Sequence, residues 1–257
     1  LLNNLMCGIV GGVTNTDITP LLLDGLNRLE YRGYDSSGLV LLTKNNKLSR
    51  ERAVGKVINL EKKLKLKKNK IEGTIGLAHT RWATHGEPSN KNAHPHISKK
   101  SISIVHNGII ENYIHLKDLQ IKQGYEFTSE TDTEVIAHSI DFSMQSSDSL
   151  LEAVLKSLKT LVGSYGLGII SAKYPNTIIA ARKGCPLLIG IGENGNYIAS
   201  DQMALLTVTK KFIFLEEGDV ALLNLDKVTI YNKKGNLVDR PIEISNLKKG
   251  QVDLGNY

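Results

Sequence analysis

Cysteine is scarce in this chain of 257 residues, where Cys7 and Cys185 are the two present. They could close at most one bridge, and a chain long enough to bury a large core does not depend on one, so both are expected as free thiols. No apolar run approaches the ~18 residues that a membrane span needs. The longest candidates are broken by Asp24, Arg28, Lys183 or glycines. Flat rings other than the nine tyrosines are few as well, one Trp and four Phe, which leaves little to stack on nucleic-acid bases despite a net charge of +6. Six lysines of that excess fall between Glu61 and Lys70 with Leu64 and Leu66 among them, the pattern of a solvated helix face. Nucleic acid and membrane are therefore not expected partners.

Metal signatures are missing too. Five of the seven histidines lie between His79 and His106, but their spacing fits no zinc pattern, the cysteines are far apart, and there is no HExxH helix. The glycines near Gly166 and Gly192 lack the spacing and the Lys-Ser/Thr ending of a phosphate loop and read as turns. No metal and no organic cofactor is expected. Residues 1–13 are apolar but have no basic leading region and no small-residue cleavage site, so the chain is read as cytoplasmic.

What is present is an ordinary globular composition, 41% apolar and 23% charged, with strands and helices intermixed. Cys7 to Val13 reads as a buried strand. A helix follows, with Thr19 as N-cap and Pro20 in its first turn, carrying Leu22, Leu23, Leu26 and Leu29 until Gly33. Gly38–Thr43 and Leu48–Ala53 form a hairpin across Lys44–Lys47, and Val57–Leu66 is a basic amphipathic helix. Thr74–Thr80 is a strand feeding an irregular stretch, Arg81–Lys100, of the kind that is functional or disordered. Ser101–His106 is a strand ending at Asn107-Gly108, followed by a helix from Asn112 to Gln123. Thr131 and Glu134 suggest a capping box for a helix to about Met144, and another helix covers Ser149–Leu161. From Gly163 onward short apolar strands dominate, so sheets stacked on each other and covered by helices are expected. The polar end KKGQVDLGNY reads as a cut at a domain boundary.

Cys7 follows Met6 and is small enough for methionine removal to leave it as the first residue, with thiol and α-amine together. Their pKa values, near 8.5 and 8, allow the amine to take the thiol proton near neutral pH. The plain alternative is a buried structural cysteine. Asn107 and Gly108 offer a side-chain NH2 and a backbone N–H to one developing oxyanion, although an Asn-Gly pair alone reads as a turn. Arg81 offers a planar fork for a carboxylate, Trp82 a rigid wall, Thr84 and His85 polar contacts, all within five residues. Asp132, where the capped helix begins, can neutralise an ammonium or merely complement the helix dipole. A carboxylate reader and an ammonium reader together describe the head group of an α-amino acid.

Six collinear segments carry a resemblance: MCGIVGGV at Met6–Val13, LEYRGYDSSGL at Leu29–Leu39, HTRWATHGEPSNKNAHPH at His79–His96, HNGIIENY at His106–Tyr113, SETDTEVIAH at Ser129–His138 and ASDQMALL at Ala199–Leu206. Together they resemble the glutaminase domain of the glucosamine-6-phosphate synthase family, within the class II glutamine amidotransferases. The YRGYDS block is similar to the hexosamine-forming members rather than to the phosphoribosyl-pyrophosphate amidotransferases, which show an HRGQES-like block. The resemblance implies an α+β fold, the four-layer αββα sandwich of the N-terminal-nucleophile hydrolases. It implies that Cys7 attacks the side-chain amide of L-glutamine, that Asn107 and Gly108 form the oxyanion hole, and that Arg32 helps orient the Cys7 amine. Arg81 would hold the substrate carboxylate and Asp132 its amino group, with Trp82, Thr84 and His85 in the loop that closes over glutamine. His94 and His106 receive no direct role.

Two departures shape the expectations. Residues 1–6 would keep the Cys7 nitrogen in an amide and are read as an N-terminal extension, either upstream sequence or the mark of an unprocessed, inactive form, with the glutaminase domain at 7–250. Residues 251–257 would begin a linker to sugar-isomerase domains, which bind fructose 6-phosphate and for which 257 residues leave no room. By the same carry-over the full-length enzyme is a homo-oligomer that converts fructose 6-phosphate to glucosamine 6-phosphate, and this chain alone hydrolyses glutamine. The alternatives are a class II amidotransferase domain with another acceptor, and a silent glutamine-binding module blocked by its extension.

Overall fold

A computed structural model describes residues 7–68, 70–83 and 85–247. Strand β1 (Gly8–Thr14) is followed by α1 (Thr19–Leu29), the hairpin β2 (Ser36–Leu42) and β3 (Leu48–Val54), α2 (Val57–Lys65) and β4 (Ile75–Arg81). Then come β5 (His96–Ser98), β6 (Ile102–Ile110), α3 (Tyr113–Lys122), α4 (Glu134–Ser143) and α5 (Leu150–Leu158). The rest is β: β7 (Gly163–Ser171), β8 (Tyr174–Lys183), β9 (Leu188–Gly192), β10 (Gly195–Ala199), β11 (Lys211–Phe214), β12 (Val220–Leu223), β13 (Val228–Tyr231), β14 (Leu237–Val238) and β15 (Glu243–Ile244).

These strands make two antiparallel sheets. One has eight strands in the order β15-β11-β9-β10-β1-β4-β2-β3, the other seven in the order β14-β13-β12-β8-β7-β6-β5. Successive side chains of a strand point to opposite faces, so each central strand feeds two cores. Ile9 and Val13 of β1, Ile75 and Leu77 of β4 and Val105 of β6 meet between the sheets. Val10 of β1 and Ala78 of β4 point the other way, against Leu22, Leu26 and Leu29 of α1 and Leu60 of α2. On the far side, Ile102 and Ile104 of β6 pack against Val135, Ile136 and Ile140 of α4 and Val154 of α5. Helix layer, sheet, sheet and helix layer follow in order, so the αββα sandwich is borne out. Its strands read as apolar on both faces because both faces are covered.

The helices form where apolar spacing and breakers predict, but two of their caps differ. α1 begins at Thr19 without a cap from the Thr19 hydroxyl. Asp17 Oδ1 instead accepts both the Thr19 N–H at 3.2 Å and its hydroxyl at 2.7 Å, because the carboxylate two residues ahead reaches the free N–H better. Leu22, Leu26 and Leu29 are fully buried, each contributing roughly 1.5–3 kcal/mol by area. A Cβ at Gly25 would come within 2.9 Å of Val10, so glycine lets α1 lie close on β1. The Thr131/Glu134 capping box does not form either. The Glu134 carboxylate turns back to accept from the N–H groups and hydroxyls of Thr128 and Ser129, which anchors the segment ahead of α4. Ser149 does cap α5, accepting from Glu152 N at 3.2 Å.

Two strand readings are also corrected. The stretch 81–100 contains β5, a buried strand paired with β6, which a His-Pro-rich sequence with no period conceals. β6 runs on through Asn107 and Gly108 to Ile110 because β7 pairs with it along its whole length, so this pair lies within a strand and not at its end. The hairpin is as expected, with Asn46 at φ 55° in the turn. Cys7 and Cys185 are free thiols. No helix among the described residues is long and apolar enough to cross a membrane.

Candidate active site

Period-two alternation brings the candidate residues together. Cys7 has the parity of Ile9 and Val13, His79 that of Ile75 and Leu77, and Asn107 that of Val105, so all three belong to the faces between the sheets. Cys7 stands at the head of β1, where Gly8 pairs with Thr80 of β4 and its N–H is taken by Thr80 Oγ1 at 3.1 Å. The chain leaving β4 then passes the sulfur: Trp82 N–H donates to Cys7 Sγ at 3.2 Å, and Sγ lies 3.6 Å from the Trp82 carbonyl. From the opposite sheet, Asn107 Nδ2 donates to the Cys7 carbonyl at 2.9 Å. The thiol-bearing residue and the amide donor are thus in direct contact.

Gly108 follows with φ +127°, and a Cβ there would lie 2.2 Å from the Ser164 carbonyl. Only glycine turns its backbone this way beside β7. One ring of histidines backs the pair. His79 Nε2 lies 2.9 Å from Asn107 Oδ1 and 3.0 Å from the His106 carbonyl. His106 N donates to His94 Nδ1 at 3.3 Å, and the rings of His79 and His94 stack at 4.2 Å.

The other wall is the loop after β4. Arg81 is buried, and its Nη2 donates to the His85 carbonyl and, at 2.9 Å, to the Gly86 carbonyl. Its Nη1 is 3.7 Å from Asp35 Oδ1 and has no hydrogen-bond partner. The other oxygen of Asp35 accepts the Ala83 N–H, so one carboxylate holds the loop at two points. Trp82 is 40% exposed, and the His85 ring meets Tyr113 edge-on at 5.3 Å. Asp132 is buried; its Oδ2 accepts Ile110 N–H at 2.7 Å while Oδ1 lies 4.0 Å from His85 Nδ1. Cys7, Arg81, Trp82, His85, Gly108 and Asp132 line one narrow cleft. The depression of about 480 Å³ beside Tyr165 and Lys183 is larger, yet no cysteine, serine or threonine lines it.

The electrostatics separate the groups. Burial pushes the Cys7 thiol above its ordinary value, opposed by the Trp82 N–H and the Arg81 charge, so the sulfur rests as a thiol that needs a base. Burial drives the His79 ring down to about 3 and lowers His94, His96 and His106 as well. Neutral rings of this kind hold hydrogen bonds and are poor general bases at pH 7.

Of the residues predicted from sequence, Cys7, Asn107, Gly108, Arg81, Trp82, His85 and Asp132 converge, and Thr84 lies outside the described residues. Arg32 is one step removed: its Nη1 is 3.5 Å from Ser200 Oγ, which accepts the Ile9 N–H at 3.0 Å on the strand that carries Cys7. The Arg81 fork, read as free for a carboxylate, is engaged with the carbonyls of its own loop. Asp35, Ser200 and His79 were missed. All three sat inside quoted segments, and the parity of β4 was the available signal for His79.

Comparison with known proteins bears on the family and the fold. A family model described as a glutamine amidotransferase domain matches residues 79–207. The chain is 51% identical over 252 residues to the glutamine–fructose-6-phosphate aminotransferase (isomerizing) of Haemophilus influenzae, covering 98% of this chain and 41% of that protein. It is 49% identical over 252 residues to the protein of the same name from Escherichia coli O6:H1, again covering 41% of it. The chain therefore spans about two fifths of the curated relatives it matches. Among solved structures, the glutamine phosphoribosylpyrophosphate amidotransferase of B. subtilis, complexed with ADP and GMP, superposes with a TM-score of 0.76 at 25% identity, over 90% of this chain and 50% of that one. A class-II glutamine aminotransferase domain protein from Silicibacter pomeroyi, at 13% identity and a TM-score of 0.60, shares the fold.

Proposed function

Because this chain belongs to the glutamine amidotransferase domain family, we propose that it is a glutaminase module with Cys7 as nucleophile. The contact between Asn107 Nδ2 and the Cys7 carbonyl carries the reading, because it sets an oxyanion donor one residue's width from a thiol. In the competent form Cys7 is the first residue and its α-amine is the base that the raised thiol pKa requires. The amine takes the thiol proton, and sulfur attacks the side-chain carbonyl carbon of L-glutamine. The carbonyl oxygen becomes an oxyanion facing Asn107 Nδ2 and the Gly108 N–H, each such donor contributing roughly 3–4 kcal/mol to the transition state. The ammonium returns its proton to the departing nitrogen, ammonia leaves, and a glutamyl thioester remains. Water, deprotonated by the same amine, attacks the thioester and releases glutamate and the thiol.

Arg81 holds the substrate carboxylate and Asp132 its ammonium, with Trp82, Thr84 and His85 closing over it. Arg32, through Ser200, keeps the start of β1 in place beneath the amine. No metal or organic cofactor enters these steps. In a longer protein like the relatives, the ammonia passes to fructose 6-phosphate, giving glucosamine 6-phosphate; that acceptor would be held by domains beyond this chain, in a homo-oligomer.

The test compares protein beginning at Cys7, protein that retains residues ahead of it, and Cys7→Ala, by ammonia release from glutamine. The first is expected to be active and the other two to lose at least ~10³-fold, since the chemistry has no second nucleophile. A diazo-ketone analogue of glutamine should label Cys7 alone by peptide mapping. Release by Cys7→Ala at the wild-type rate overturns the proposal.

A further inference from the structure

We propose that His79 is a positioning residue of the oxyanion hole: its Nε2–H holds Oδ1 of Asn107 and so turns the Asn107 NH2 toward the reacting carbonyl. The inference rests on the glutaminase reading for its functional consequence, but its geometry stands on two distances. His79 Nε2 is 3.0 Å from the His106 main-chain carbonyl and 2.9 Å from the Asn107 amide. A peptide carbonyl can only accept, so Nε2 must carry the hydrogen. The Asn107 atom sharing that hydrogen must then be the oxygen, because an NH2 there would set two donors against each other. The orientation of the amide, ordinarily a choice between two near-identical shapes, is thereby decided by one imidazole hydrogen. It leaves Nδ2 aimed at the Cys7 carbonyl at 2.9 Å, where an acceptor is again waiting. Rotating the amide by half a turn would spoil both contacts at once.

The surroundings favour the same tautomer. With the hydrogen on Nε2, His79 Nδ1 is a bare acceptor, and it is buried without a hydrogen-bond partner. A buried polar atom left unpaired is costly, and a Phe or Leu on this inward position of β4 would avoid it. The ring is retained at that cost because of what Nε2 does. His79 stacks on His94, whose Nδ1 accepts from His106 N at 3.3 Å, so the strand that supplies the His106 carbonyl is fixed from the same side. The ring is fully buried and stays neutral across the working range, so its contribution is direction and not charge. His79 touches no substrate atom; it acts through Asn107.

The experiment uses protein beginning at Cys7. His79→Phe keeps the ring volume and removes the donor; its kcat for glutamine should fall between 30- and 300-fold with KM within twofold. His79→Gln, whose Nε2 reaches the same place, should recover at least tenfold of that loss. Alkylation of Cys7 by iodoacetamide, which builds no oxyanion, should proceed at the wild-type rate in both variants, and circular dichroism monitors their folding. On the wild-type protein, long-range nitrogen–proton spectra of the histidine rings at pH 7 should report the Nε2–H tautomer for His79. A His79→Phe protein with undiminished kcat overturns the proposal, as does equal loss of glutaminase and alkylation in both variants. An Nδ1–H tautomer overturns it without reference to any variant. The Cys7→Ala control separates the two readings: ammonia release there removes the glutaminase reading, while the tautomer result still decides the Asn107 geometry.

Discussion

The two walls of the cleft are built on opposite principles. The β6 wall, with Asn107 and His106 on β6 and the His79 ring on β4 behind it, is buried inside paired strands, and the ring that aims Asn107 cannot move without opening a sheet. The wall after β4 is a loop tied down by a few side chains: Asp35 at Ala83, Arg81 at the His85 and Gly86 carbonyls, Trp82 part-exposed. The difference matches the two tasks. Stabilising charge in a transition state requires donors already in place, whereas admitting and enclosing a substrate requires a segment that exchanges its contacts. The two walls should therefore fail differently when perturbed.

The largest difference is expected on acidification. His79, His94, His96 and His106 have folded pKa values below the unfolded 6.5, all through burial first, with His79 at about 3. The unfolded chain therefore binds more protons below pH 6.5. Stability is full above that value and declines as pH falls, until for His79 the folded pKa near 3 is reached. His79, with its folded value near 3, costs about 1.4 kcal/mol at one unit below 6.5, and His94, His96 and His106 add losses of the same sign. Denaturant melts at pH 7.5 and 5.5 should show this loss. Equal stabilities at the two pH values would mean that the buried wall already carries protonated rings, and the contrast between the walls would be lost.

Next in size is Asn107→Ala. It removes one proposed oxyanion donor from the rigid wall and is expected to lower kcat by ~10²–10³-fold, about 3–4 kcal/mol, with KM for glutamine little changed. A steady-state comparison that found the loss in KM instead would move Asn107 from transition-state stabiliser to binding residue.

Much of this arrangement was legible in the sequence, for reasons that differ by region. Helices α1 and α5 follow from leucine spacing and from Pro20, Gly33 and Ser149, because amphipathic helices and their breakers are local signals. The stacked sheets follow from strands apolar on both faces. Caps were misassigned where a nearby carboxylate took the donors, Asp17 reaching forward to Thr19 and Glu134 back to Thr128 and Ser129, since a capping box is read from spacing but formed by competition among neighbours. β5 was hidden because its pairing with β6 is a tertiary fact that His96 and Ser98 do not advertise. Asn107-Gly108 read as a turn because Gly108 needs a positive φ. β7 accommodates that φ inside a ladder. His79 was passed over although counting in twos from Ile75 assigns it to the inner face, next to the strand that holds Asn107.

The smallest effect tests the movable wall. The proposed reading asks Arg81 to do two things at once: its Nη2 holds the His85 and Gly86 carbonyls, while Nη1, 3.7 Å from Asp35 Oδ1 and without a hydrogen-bond partner, is the donor proposed for a substrate carboxylate. A planar guanidinium can divide its N–H groups in this way, and an ammonium on a flexible stem cannot. Arg81→Lys should therefore keep the positive charge and lose the division of labour, raising KM for glutamine about 10- to 100-fold, roughly 1.4–2.8 kcal/mol, with a smaller change in kcat. Trp82 is the one tryptophan of the sequence and sits on this loop, so its fluorescence reports enclosure directly. Glutamate titrated onto wild-type protein should shift the emission, and the same shift in Arg81→Lys should need about tenfold more ligand or more. If the two proteins titrate alike, the fork is only a loop anchor, and recognition of the carboxylate belongs to another group on the same wall.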